Sequence, residues 1–194
     1  MSISSGRVAL VPLEAVLRKQ MDVLNKWLLI PAAVIASPMC VYATQYLTLE
    51  QAQQAIFPGA GFTPTFITIN DAQKMEIERR TGVTVRVRDQ RVWRVSTGGF
   101  FIVDEVVGKH EFITYAAGLN SDGSVRQIEV MDYRESYGYE IRNQAWRRQF
   151  VGKRDGDSVK LDGDIQNIAG ATLSCRHVTD GVKRLLALYS VALK

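Results

Sequence analysis

The sequence predicts an α+β fold, a single domain in which an antiparallel sheet of about five strands is flanked by helices. Three observations predict it. Between residues 100 and 131, short apolar runs rich in β-branched and aromatic residues follow one another closely, broken by Gly98-Gly99 and by the turn Asn120-Ser121-Asp122-Gly123, a spacing that suits hairpins. Near the end, Val178, Val182, Leu185, Leu186 and Tyr189 fall on one face of a helix. The 194 residues, 46% apolar and 23% charged, are enough for one ordinary domain with a real core.

Taken in order, the chain begins with a segment of another character. Residues 27–43 (WLLIPAAVIASPMCVYA) are apolar and uncharged, and Arg18, Lys19 and Lys26 precede them. Pro31 and Pro38 interrupt the run, which is shorter than the ~20 residues of a spanning helix. Residues 1–43 are therefore expected to be a secretory signal, cleaved after Ala43, or an uncleaved N-terminal membrane anchor. Met21 would make a tidier start than Met1. The expected location is exported, on the periplasmic or extracytoplasmic side. With the signal removed, Cys175 would be the one remaining cysteine, so no intrachain disulfide is expected.

Residues 44–97 read as a helix and strand extension. Thr48 with Gln51 has the spacing of a capping box, and Pro58-Gly59 ends the helix that follows; Leu49, Ala52, Ile56 and Phe57 are expected to face inward. Residues 62–69 alternate as a strand, Asn70 or Asp71 caps a charged helix closed by Gly82, and residues 83–88 and 91–95 alternate again as strands. After the central strands, residues 141–150 are expected to be helical, residues 152–164 form a polar connector, and the apolar stripe marks the closing helix.

Composition excludes some functions. The net charge of +4 is spread along the chain, and Arg79-Arg80 and Arg147-Arg148 are too short to make a nucleic-acid face, so no nucleic-acid partner is expected. His110 and His177 stand at no ligand spacing from carboxylates or cysteines, so no metal site is expected. No acid and base pair marks a catalytic residue. Trp93, Trp146 and Cys175 read as core.

The stretch with chemical content is Asn167-Ile168-Ala169-Gly170-Ala171-Thr172-Leu173-Ser174. Gly170 permits a positive φ or a close backbone approach, Ala171 leaves room, and Thr172 and Ser174 supply hydroxyls. A helix follows at once, bringing free N–H groups and a positive dipole end. Such a turn suits a phosphate, held or attached; equally, Thr172 or Ser174 could be an ordinary helix cap.

This run resembles the flavinylation motif Asp-x-x-Ser-Gly-Ala-Thr-x-[Ser/Thr] of the FMN-binding domain family, which includes the FMN-carrying subunits of the sodium-pumping NADH:quinone reductase and of the Rnf complex. Two further segments are similar to that family's motifs in the same order: Glu135-Ser136-Tyr137-Gly138-Tyr139-Glu140, against Glu-Thr-x-Gly-x-Gly, and Phe150-Val151-Gly152-Lys153, against an aromatic followed by Gly-Lys. The resemblance spans roughly residues 98–194. Ala169 stands at the motif's serine, Gln166 at its aspartate with Asp164 two residues earlier, and Glu140 at the second glycine.

The resemblance implies FMN joined to Thr172 by a phosphoester, attached by a separate Mg-dependent FAD:protein FMN transferase that releases AMP. It implies Gly170, Ala171, Leu173 and Ser174 around the attachment point, with Glu135, Ser136, Tyr137 and Gly138 lining the flavin. The expected function is an exported flavoprotein that carries electrons between membrane or exported redox partners, and is more an electron-transfer protein than a stand-alone enzyme. Two alternatives stay open: non-covalent FMN binding, and an exported binding or assembly module whose Gly-Ala-Thr turn merely caps a helix.

Overall fold

The two capping boxes that the sequence suggests set the first helices of the fold. The computed structural model describes residues 44–194; the expected export segment, residues 1–43, lies outside the described residues. After strand β1 (Thr44–Gln45), helix α1 (Leu49–Ile56) opens on Thr48, whose side chain takes the Gln51 N–H while the Gln51 side chain takes the Thr48 N–H. Strands β2 (Phe62–Pro64) and β3 (Ile67–Thr68) lead to α2 (Asp71–Thr81), where Asn70 and Gln73 repeat the reciprocal cap and Gly82 closes the helix in the left-handed region. Strands β4 (Asp89–Val95), β5 (Phe100–Val107), β6 (Phe112–Leu119) and β7 (Val125–Tyr133) follow. After the short α3 (Gln144–Arg147), the long α4 (Thr172–Leu188) ends the chain with a π-helical turn, Tyr189–Leu193.

The sheet is antiparallel throughout, in the order β1-β7-β6-β5-β4-β2, with β3 also pairing β4. The predicted α+β class holds in a seven-stranded sheet, where Thr44–Gln45 adds an edge strand and the strand expected over residues 62–69 is two. Its two faces are both covered. Val178, Val182, Leu185 and Leu186 of α4 are buried with Ile102, Tyr115 and Val130 in one cluster. Ala52 and Ile56 of α1, with Phe57 at its C-cap, pack on the opposite face with Trp93, Phe101 and Val103. Strands β4 to β7 serve both faces through their alternation.

One polar link crosses the first face. Asp104 of β5 accepts from the Arg184 guanidinium of α4 at 2.5 Å and from the Tyr115 hydroxyl at 2.6 Å. Burial pushes the Tyr115 phenol well up, and the Asp104 charge adds to the effect.

Three expectations are corrected. Residues 83–88 form no strand: the Val85 N–H goes to the Glu78 carboxylate at 2.8 Å and the Val83 N–H to Thr81 Oγ1 at 3.1 Å, so side chains hold donors that a ladder would need. The single strand over residues 62–69 is two short ones with Thr65 and Phe66 between them; Pro64 brings no N–H to the ladder, and the Phe66 ring meets Trp93 edge-on. Residues 141–150 are not one helix but two 3₁₀ turns, Tyr139–Arg142 and Arg148–Phe150, on either side of α3.

Candidate functional site

The turn before α4 is built by Gly170. Its φ of +86° lets the Ala171 N–H reach back to Ile168 O at 2.9 Å, and open space surrounds the position where a Cβ would stand. Ala171 is the N-cap of α4, and no side chain caps that helix end. Thr172 and Ser174 are therefore not caps, and the N–H groups of the first turn have no intrahelical partner.

The two hydroxyls go different ways. Residues two apart on a helix point to opposite sides. Ser174 is buried, and its Oγ lies 3.0 Å from the Tyr133 hydroxyl at the end of β7. The Tyr133 hydroxyl itself donates to the Tyr137 carbonyl; since a phenol has one proton, Ser174 is the donor to Tyr133. Thr172 is half-buried, and its Oγ1 accepts a 3.2 Å bond from the Asn167 side-chain amide. That bond leaves the Thr172 O–H free to point elsewhere.

Tyr133 thus joins the two segments that the sequence singles out. Gly138 brings them into contact: at φ +91°, an added Cβ would stand 2.6 Å from the Tyr133 hydroxyl and 3.0 Å from the Ala171 Cβ. Glycine at 138 and alanine at 171 allow residues 135–138 to lie against the start of α4. Burial pushes the Tyr133 phenol up, and the Ser174 bond opposes this in part. The hydroxyl stays protonated and works as a strut.

The result is a cleft of about 410 Å³. Gly170, Ala171, Thr172, Leu173 and Ser174 line one side; Glu135, Ser136 and Tyr137 line the other. Gly138 lies behind this wall as the spacer just described. Tyr137 is 82% exposed and Leu173 41%, so apolar surface is available at the rim.

Glu135 has a different occupation from its neighbours. Its Oε1 accepts the backbone N–H of His110 at 2.5 Å and of Glu111 at 3.0 Å. Burial pushes its carboxyl up, but the N–H groups of Glu111, His110 and Lys109 outweigh that and hold it below the ordinary carboxylate range. The residues that sequence reasoning missed are here: Lys109 and His110, in the turn between β5 and β6, also line the cleft. His110 lies 25 residues before Glu135, and no spacing in the sequence joins them. Only the pairing of β6 with β7 brings that turn to the end of β7.

Cys175 is buried, and burial pushes its thiol up, so it is packing material. Asp164 binds Lys153 at 2.5 Å and the Lys160 N–H at 2.8 Å, anchoring its own loop. Gln166 is exposed, and its carbonyl takes the Trp146 indole N–H at 2.7 Å. Two larger depressions, about 670 and 470 Å³, lie along residues 154–162 and contain none of these site residues. Among their cations, Arg80 pairs with Asp155 and Lys183 donates to the Thr81 carbonyl.

Residues 108–187 match the family model of the FMN-binding domain, a span that opens on Gly108 and contains both walls of the cleft. That part of the chain is similar to FMN-binding domains, which supports FMN as its cofactor. No curated protein matches the chain.

Proposed function

We propose, from the match of residues 108–187 to the FMN-binding domain model, that this protein is an exported electron carrier holding one FMN in the cleft through a phosphoester to Thr172. The observation that carries the reading is the state of Thr172: its hydroxyl caps no helix, and it lines a cleft with Tyr137 and Ser136 opposite. The alternative of a plain capped helix in an assembly module needs Thr172 or Ser174 at the cap, where Ala171 stands.

The residues present fit FMN. The cleft volume lies in the range of cofactor sites. Its polar end has uncapped helix N–H groups, which suit a phosphate, and its rim has the exposed faces of Tyr137 and Leu173, which suit an aromatic ring system. When bound, FMN supplies one- and two-electron transfer, and the protein supplies orientation and electrostatics. In the attachment, the Thr172 oxygen replaces AMP on the FMN phosphorus of FAD: one P–O bond forms, one breaks, and the hydroxyl proton leaves. A Mg-dependent transferase is the proposed partner for that step. The electrons pass between membrane or exported partners, and a covalent link keeps the flavin where it could not readily be replaced.

Non-covalent FMN binding is the second reading, favoured by Ala169 and Gln166, which stand exposed where the motif has serine and aspartate. The two separate on a denaturing gel. After co-expression with a flavin transferase, the covalent protein keeps its flavin fluorescence through denaturation; a non-covalent one releases it.

A further inference from the structure

We propose that Lys109 and His110 form a basic wall of this cleft that selects a phosphorylated flavin over riboflavin, and that Glu135 and Gly108 are the positioning residues that hold the wall in place. The inference rests on the flavin reading above and adds the specificity of the site.

A lysine and a histidine at the tip of a hairpin are ordinarily free to swing in solvent. This turn is fixed on three counts. Gly108 N–H bonds the Glu111 carbonyl at 2.7 Å. Glu135 Oε1 accepts the N–H groups of His110 and Glu111, as described. From α4, His177 Nδ1 bonds the Val107 carbonyl and lies 3.2 Å from the Gly108 carbonyl. The seat is tight: a Cβ on residue 108 would stand 2.6 Å from Glu135 Oε1 and 2.9 Å from its Cγ.

The clamp also decides the charge of the cleft. Glu135 is the one acidic residue among those lining it, and its carboxylate is already satisfied by backbone N–H groups. Glu111, next on the turn, is exposed and does not line the cleft. The Lys109 ammonium and the His110 ring N–H are then left to meet a ligand. Both are donors, and neither has a hydrogen-bonded side-chain partner among the described residues. FMN brings phosphate oxygens to such donors, and riboflavin brings none; charge-assisted bonds are roughly twice as strong as neutral ones.

The test uses the full chain produced without a flavin transferase, with FMN and riboflavin binding each followed by flavin fluorescence. The wild type is expected to prefer FMN about tenfold. In the Lys109→Gln/His110→Gln protein the preference should fall to about twofold or less. Both side chains are exposed, so folding is not at stake. Glu135→Ala should lower the preference in the same way by releasing the turn, and Glu135→Gln, which keeps an acceptor for the turn, should restore most of it. A double variant that retains the wild-type preference, or a wild type that binds both flavins equally, would overturn the basic wall and leave the flavin cleft standing. A wild type that binds neither flavin would overturn this inference, while attachment at Thr172 stands or falls separately on the intact mass after co-expression with a flavin transferase.

Discussion

The Tyr133 hydroxyl stands 3.0 Å from Ser174 Oγ, and this contact sets the end of the sheet against the start of α4. Because the same hydroxyl donates to the Tyr137 carbonyl, one phenol fixes both walls of the cleft. Tyr133→Phe keeps the ring and removes both bonds. It should destabilise the protein by about 1–3 kcal/mol, the cost of leaving buried polar groups unpaired, and lower the flavin-loaded fraction. Urea unfolding and the ratio of flavin to protein absorbance check the two effects; unchanged values in both would sink the strut role.

Gly138→Ala attacks the same contact from the other side. The new methyl would meet the Tyr133 hydroxyl at 2.6 Å, at a φ of +91° that alanine rarely adopts. Strain of this kind costs on the order of 1–3 kcal/mol. Thermal unfolding should show a lower midpoint, and the nearby Gly170→Ala, with open space around it, should lose stability only through its positive φ. Equal losses at the two positions would contradict the close-packing account.

The Glu135 clamp has a pH signature. Its carboxyl is held below the ordinary carboxylate range in the folded protein, so the deprotonated form is the one that folding favours. The stabilisation it contributes is complete above the unfolded-state pKa and is lost as pH falls through the lower folded value. Amide exchange at His110 and Glu111 should therefore be slowed at neutral pH and should lose its protection in acid, after allowance for the intrinsic rate. In Glu135→Ala the protection should already be missing at neutral pH. Protection that survives in that variant would show that something else holds the turn.

How far the sequence reaches is clearest at particular residues. The apolar stripe from Val178 to Tyr189 places α4, and Thr48/Gln51 places α1, because helix caps and periodic burial are local properties. The Asn120–Gly123 turn is legible for the same reason, and Gly123 N–H does bond the Asn120 carbonyl at 2.9 Å. Residues 83–88 mislead: their alternation suits a strand, but Glu78 and Thr81 take the N–H groups of Val85 and Val83. A side chain that competes for backbone donors leaves no mark on hydrophobic period.

At the site, Thr172 and the segment from Glu135 to Gly138 are readable as motifs, and the fold places them across one cleft. Lys109 and His110 are not, since their position depends on sheet register and on a carboxylate elsewhere in the chain. The separate fates of Thr172 and Ser174 follow from helix geometry once the helix start is fixed. A sequence with two hydroxyls and no established cap does not fix that start.

The central claim is a bond at one oxygen, and intact-mass spectrometry after co-expression with a flavin transferase tests it most directly. The account predicts that the wild type gains the mass of one FMN less one water, that peptide mapping finds it on Thr172, and that Thr172→Ala gains nothing. A Thr172→Ala protein that carries denaturation-resistant flavin, or a wild type that stays unmodified beside an active transferase, would contradict it.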